Sequence, residues 1–288
     1  MKRQRYRKVI LDNTHKECAV AYSSSLSDLQ WNTIASIFLK FGLAGDGRNH
    51  SLRTIINGIL YIVNNGVKWR ELPNDFPPWQ TVYYHFAKWS KGALWELLNH
   101  ELAEMVRTAQ GREATPSLVS IDSQSLGGEP GIEDRGIDGN KKVNGRKRHI
   151  AVDVNGIIFA CGITPANESD VHMGAILVEQ LNKRDEFPRL AKILGDNAYS
   201  SVGNNQRIPV TVEARERAPG QRGFVPEAYR WVVERTFSWL NRQRRLVRNY
   251  EKKIRYQKAM TLIGGIRICL GKLGRQNNLS QPLTHSSH

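Results

Sequence analysis

Near residue 110 the spacing of apolar residues changes, and that change limits the chain to a helical unit followed by a layered one. From about Ser27 to about Ala109 apolar side chains recur every three or four positions, as on one face of a helix. Leu29 to Phe41 carries Trp31, Ile34, Ile37 and Phe38; Ser51 to Asn64 carries Leu52, Ile55, Ile56, Ile59, Leu60 and Val63. After Pro77-Pro78, Trp79 to Trp89 repeats the pattern, and a further helix is expected from about Ala93 to Val106. Gly111 to Pro116 reads as a junction. Beyond it Ser117 to Asp122 alternates as a strand. Lys147–Val154 and Ile157–Ile163 read as a hairpin turning at Asn155-Gly156. Ser169–Leu181 reads as a helix, Leu190–Asp196 as a buried strand, and Ile208–Glu213 as an edge strand because of Pro209. Tyr229 to Tyr250 has no proline or glycine and reads as one amphipathic helix. The expected fold is α/β: a mixed sheet flanked by helices, preceded by a small all-helical unit.

The expected division is a basic and polar tail over 1–26, a helical unit over 27–110, a layered unit over 111–273 and a disordered polar tail over 274–288. Charge narrows the function. There are 42 Lys and Arg against 27 Asp and Glu, a net charge of +15 on a chain that is 40% hydrophobic. A folded protein with clustered basic excess usually meets a polyanion, most often nucleic acid. Cys18, Cys161 and Cys269 are too scattered for a zinc ribbon or a disulfide framework, which fits a reducing compartment. The most apolar run, Ile55 to Val63, is too short to span a bilayer. The reading is a soluble cytoplasmic protein.

Three acids stand where chemistry could use them. Asp122 ends the first strand, Asp196 ends Ala191-Lys-Ile-Leu-Gly, and Glu234 is the one acid among six arginines between Tyr229 and Tyr250. Phosphodiester cleavage needs an activated water or hydroxyl and neutralisation of charge on phosphorus. Two divalent ions about 3.5–4 Å apart do both and are held by carboxylates. Each acid alone is more often a turn, a cap or a surface ion pair, the last between Glu234 and Arg230. Asp138, Asp153, Glu168 and Asp170 compete for a role, and His149 and His172 are read as structural. In the helical unit the aromatics Trp69, Trp79, Tyr83, Tyr84, Phe86, Trp89 and Trp95 read, for the most part, as a bundle core. The alternative is a helix-turn-helix-like DNA reader, with Arg53, Lys68, Arg70, Lys88 and Lys91 facing phosphates.

Several blocks occur in order: Gly58-Ile-Leu-Tyr-Ile-Val-Asn-Asn-Gly-Val-Lys-Trp-Arg-Glu-Leu-Pro, Trp79-Gln-Thr-Val-Tyr-Tyr-His-Phe, Ser120-Ile-Asp-Ser-Gln-Ser, Gly139-Asn-Lys-Lys-Val-Asn-Gly-Arg-Lys-Arg-His, Leu194-Gly-Asp-Asn-Ala-Tyr and Val233-Glu-Arg-Thr-Phe-Ser-Trp-Leu. Through these the chain, from about Trp31 to Leu270, resembles bacterial insertion-sequence transposases of the DDE type. The resemblance implies an RNase H-like catalytic core and an N-terminal region that binds element ends. It implies a triad at Asp122, Asp196 and Glu234, and Mg²⁺ or Mn²⁺ as cofactor, with two ions per site. It also implies double-stranded DNA as partner, at the element ends and at the target, and a homodimer on DNA. The activity implied is cleavage at terminal inverted repeats and transfer of the freed 3′-hydroxyl. Arg230 keeps the family's spacing to Glu234 and is expected on a DNA strand; Arg242 falls near its following basic position, and the role of Tyr229 is open. Arg244, Arg245 and Arg248 are expected to grip DNA backbone, as are Lys142, Arg146 and Arg148 in the basic block before the hairpin. The competing functions are a DNA-binding protein without catalysis and a general metal-dependent nuclease.

Overall fold

The computed structural model describes residues 21–42, 50–183, 185–195, 199, 211–214 and 231–279. Helices α1 (Asp28–Lys40), α2 (Leu52–Asn65), α3 (Trp79–Lys91) and α4 (Leu94–Ala109) come first. Their boundaries follow local chemistry. Ser27 caps α1: its hydroxyl accepts from the Gln30 amide at 3.3 Å while the Gln30 side chain accepts from the Ser27 amide at 3.1 Å. Ser51 caps α2, and Gly66 ends it at φ 71°, a left-handed stop that glycine makes without strain. The α2–α3 connection covers residues 66–78. It is far longer than the roughly three-to-four-residue turn of a helix-turn-helix pair. That departs from the expected helix-turn-helix likeness. The aromatics Trp69, Tyr83, Phe86 and Trp89 do pack in ring-to-ring contacts within this layer.

Then follow β1 (Leu118–Gly127), β2 (Gly136–Asp138), β3 (Val143–Asp153), β4 (Ile158–Pro165), α5 (Asp170–Leu181), β5 (Lys192–Gly195), β6 (Thr211–Ala214), α6 (Trp231–Asn241) and α7 (Ile254–Leu279). The sheet order is β2–β3–β1–β5–β6, with β4 also paired to β3. β1 is antiparallel to β3 and parallel to β5, which is parallel to β6. This mixed sheet, with helices on both faces, is an RNase H-like arrangement. The register pairs Asp122 with Ile150, Ser123 with His149 and Gln124 with Arg148. Alternation therefore gives Ser120, Asp122 and Gln124 to one face, with Arg148 and Ile150, and Ser123, Ser125, Lys147 and His149 to the other.

Three elements differ from the expected ones. β1 does not end at Asp122 but runs on to Gly127, because its pairing with β3 continues to Gly145, so that acid lies within the strand. The long helix over Tyr229–Tyr250 stops at Asn241 and gives way to a 3-10 turn, Arg244–Leu246. Conversely, residues 254–279 form one helix, so 274–279 are not a disordered tail. Its Gly264-Gly265 pair hides the helical pattern in the sequence yet is what lets α7 pack. A Cβ on Gly265 would lie 2.6 Å from Asn99 Oδ1 of α4, and one on Gly264 would lie 2.7 Å from Leu240 of α6. α7 also ties down the chain's beginning, for Arg267 donates to Ser24 O at 2.7 Å and Gln30 donates to Leu270 O at 3.4 Å. One hydrophobic core consequently runs from Phe38, Ile59 and Leu102 through Ile263 to Ile150 and Phe237.

The expected hairpin forms at Asn155-Gly156. Gly156 has φ 76°, and a Cβ there would lie 2.6 Å from Thr236 Oγ1 and 2.8 Å from the Trp239 ring. Its carbonyl accepts from Thr236 Oγ1 at 3.1 Å, so the turn seats α6 on the sheet. Gly156→Ala should combine left-handed strain with this clash and cost roughly 2 kcal/mol or more. Denaturant unfolding measures it, and an unchanged midpoint would refute the seating role.

Candidate active site

β1 presents Asp122 from the middle of the sheet. The side chain is half-buried, and its Oδ1 accepts from the Ser123 amide at 2.7 Å. The helix above that face is α6. Gln124, the next residue of the face, accepts from Arg148. The same guanidinium donates to Asn241 Oδ1 at 2.7 Å and lies 5.4 Å from the Phe237 ring. Glu234, Phe237 and Asn241 are three and four residues apart, hence on one stripe of α6. Glu234 thus stands on the stripe that covers the Asp122 face, one turn before the Arg148 contact, and is exposed. The Gln124–Arg148–Asn241 network holds helix and strand together at this site. No sequence pattern announces it, because its three members come from distant segments.

The third expected acid, Asp196, lies outside the described residues, as do Tyr229 and Arg230. It directly follows β5, whose parallel register with β1 ends at Ser120 and Leu194. Asp122 and Asp196 each come two residues after that last pair. Among the described residues no cluster of three or more His, Cys, Asp or Glu side chains is placed to hold a metal. The donors that Asp122 and Glu234 offer are carboxylate oxygens, which suit hard divalent ions such as Mg²⁺ or Mn²⁺. The buried thiols do not compete: burial pushes Cys161 and Cys269 up to about 12.

The expected DNA-facing arginines divide sharply. Three are corrected by their burial. Arg146 is 0% exposed and donates to the carbonyls of Glu133, Glu251 and Lys252. Arg148 is equally enclosed, and burial pulls its guanidinium down to about 10. Arg245 pairs with Glu251 at 2.8 Å and donates to Val67 O at 3.1 Å. All three bond to protein carbonyls or side chains inside the fold, where phosphate cannot reach them. The block expected as a basic rim is instead the central strand β3. Arg53 is half-buried, paired with Asp28 at 2.7 Å and bonded to Leu26 O at 2.9 Å. Arg248 is exposed but paired with Glu129 at 2.9 Å. Lys68, Arg70, Lys88, Lys91, Lys142, Arg242 and Arg244 are exposed.

The competing acids have structural duties. Asp153 is buried against Arg107. Asp138 accepts from Ser125 and from the amides of Lys141 and Asn140, which hold its carboxyl below the usual range. Asp170 pairs with Lys147 at 3.1 Å, and Glu168 lends its carbonyl to the same ammonium at 3.0 Å. Asp138, Lys147, Glu168 and Asp170 line an open cleft of about 320 Å³ on the sheet face opposite Asp122. His172 lies in the first turn of α5.

His149 is wholly buried beside this cleft. Its Nε2 meets Thr164 Oγ1 at 2.9 Å, and Nδ1 is 3.9 Å from Asp170. Burial lowers its pKa to about 4; Asp170 opposes that, and Lys147 and Lys141 reinforce it. The unfolded chain therefore takes up this proton first as pH falls from about 6.5. Stability should be full above that value and decline towards pH 4, by up to about 3 kcal/mol. Comparing unfolding of the wild type and His149→Asn between pH 7 and 4.5 isolates the slope. Equal slopes would remove His149 as its source.

Comparison with known proteins adds an independent observation. Residues 113–268, more than half of the chain, match the family model described as "Transposase DDE domain", and residues 26–99 match "Putative transposase of IS4/5 family". A curated relative from Burkholderia cepacia, the "Putative transposase for insertion sequence element IS402", is 30% identical over 142 residues. That alignment covers 46% of this chain and 65% of the relative's length.

Proposed function

The chain belongs to the transposase DDE domain family, and from that premise we propose that it is a DNA transposase. It cleaves an insertion sequence at its terminal inverted repeats and joins the freed 3′-hydroxyls to target DNA. The observation that carries this reading is the placement of Asp122 and Glu234 on the two sides of one strand–helix interface. Asp196 follows the neighbouring parallel strand at the matching distance from the last shared register pair.

Asp122, Asp196 and Glu234 would hold divalent ions, Mg²⁺ or Mn²⁺ and two per site. A divalent ion held there would supply activation of an attacking water or hydroxyl and neutralisation of charge on phosphorus. The chain's own residues position the reaction. Ser123 N–H steadies the Asp122 carboxylate, the Gln124–Arg148–Asn241 network holds the two walls at a constant separation, and Arg230 contacts the strand to be cut. Exposed Gln80, Tyr84, Lys88 and Lys91 share one stripe of α3 and form a surface that fits a DNA groove at the element end. Two element ends must be processed together, which calls for a homodimer on DNA. Among the described residues no helix is long and apolar enough to cross a membrane.

The test is divalent-ion-dependent cleavage of duplexes carrying the element's ends, followed by strand joining. Cutting at those ends and joining supports the proposal. Binding without cutting would leave a DNA-binding protein, and cutting without regard to ends or joining would leave a nuclease.

A further inference from the structure

The helical layer and the sheet layer meet at a joint whose inner and outer faces are chemically different. The 3-10 turn Arg244–Leu246, just beyond α6, docks on the C-terminal end of α2. A Cβ on Gly66 would lie 3.0 Å from Arg244 Cβ, and Arg245 reaches inward to Val67 O at 3.1 Å. Arg245 is also clamped by Glu251 and stacked over Tyr250 at 5.0 Å, so the joint is stiff. Its neighbours point outward. Arg242 and Arg244 on the sheet side are exposed, as are Lys68 and Arg70 on the helical side, directly after Val67. None of these four is in an ion pair with a described residue, although Glu71 shares the turn with Arg70. Arg70 lies 5.3 Å over the ring of Trp79, the first residue of α3, which extends the basic surface towards that helix.

Two basic segments far apart in sequence are thus brought to one place by a rigid contact, and their charges face solvent together. We propose that this joint is a single phosphate clamp for duplex DNA. It would grip one stretch of backbone between the part held by the helical layer and the part entering the site of Asp122 and Glu234. The idea rests on the transposase reading for its biological partner, but the clamp itself is read from the joint. Because the joint is stiff, it acts as a ruler. Arg242 follows the last residue of α6, and Glu234 lies eight positions earlier, about 12 Å along the helix. At about 3.4 Å per nucleotide along one strand, the clamped phosphates begin roughly three or four nucleotides from the scissile bond.

The test uses the full chain, an end-labelled duplex carrying the terminal repeat, a scrambled duplex and a single-stranded RNA of equal length. Removing Lys68, Arg70, Arg242 and Arg244 together by alanine substitution should reduce the slope of log K against log salt by roughly 3 to 4 on both duplexes, about 0.9 per contact. In hydroxyl-radical footprints the pair K68A/R70A and the pair R242A/R244A should each expose the same short stretch of backbone. Unchanged slope and footprint in the folded quadruple variant would overturn the clamp. So would footprints in which the pairs uncover separate stretches, or a preference for the RNA. If the quadruple variant melts early, Arg244→Gln alone carries the test, with an expected slope loss of roughly one. Failure of the transposase reading would look different: the clamp footprint would persist while the wild type, given Mg²⁺ or Mn²⁺, cut neither duplex.

Discussion

Asp122→Asn is expected to reduce metal-dependent cleavage of element-end DNA by roughly 10³-fold or more while leaving end binding within about twofold of the wild type. The substitution keeps size and shape and removes one negative charge. The strand supporting it should persist, since Ser123 N–H can still donate to the amide oxygen where it now meets Oδ1. Lost is the carboxylate that, with Asp196 and Glu234, would bind a hard cation. Binding is insulated because the exposed cations of α3 and of the α2–α6 joint lie on other elements. The measurement is single-turnover cleavage in Mg²⁺ and in Mn²⁺, beside a binding isotherm on the same duplex. Retained cleavage would remove Asp122 from the chemistry. Joint loss of cleavage and binding in a folded protein would mean that Asp122 serves the DNA surface instead.

The largest stability effect should come from Arg107→Met. Arg107 is 5% exposed and Asp153 is 1% exposed. The guanidinium pairs with Asp153 and donates from Nε to Glu113 O at 2.8 Å. Asp153 Oδ1 also accepts from the amides of Asn155 and Ile157, at 3.0 and 2.9 Å. The pair therefore ties α4 to the hairpin turn that seats α6. Removing the cation leaves a buried carboxylate without its counter-charge, which costs about 3–5 kcal/mol. In a chain of this size that lowers the melting temperature by roughly 5–8 °C. The double variant Arg107→Met/Asp153→Asn discards both charges and should be no less stable than Arg107→Met alone, because the amide oxygen can still serve the turn. A double variant that loses the sum of the two single effects would show that the ion pair itself is not what couples the layers.

Much of the fold was legible because its signals are local. The helical spacing of Trp31, Ile34 and Phe38 and of Ile55, Ile59 and Val63 marks α1 and α2, and Ser27 and Ser51, where those segments were expected to begin, cap them. The turn at Asn155-Gly156 places the hairpin, and the parity of Leu118, Ser120 and Asp122 places the acid on its face. α7 was missed for an equally physical reason. Gly264, Gly265, Gly271 and Gly274 lower helical propensity, and only the close approach of α4 and α6 at the first two explains their presence. The long arginine helix was over-extended because a run free of glycine and proline reads as continuous. It ends where the 3-10 turn docks on Gly66, a contact no local pattern contains.

The arginines show the division most clearly. Within β3, Arg146 and Arg148 read as part of a basic surface, since such residues are seldom buried. Arg146 is enclosed among the carbonyls of Glu133, Glu251 and Lys252, the last two more than 100 residues away, and Arg148 among Gln124, Asn241 and the carbonyl of Leu246, 98 residues away. Sequence alone determined what local order can encode: two kinds of periodicity, the change between them at Gly111–Pro116, and which acids fall in or directly after the strand-like runs and in the arginine-rich helix. Tertiary structure decided which cations remain exposed and which serve the interior, and it brought the segment of Lys68 and Arg70 against that of Arg242 and Arg244. A buried guanidinium must find its hydrogen-bond acceptors, and those acceptors come from segments that meet only when the chain has folded.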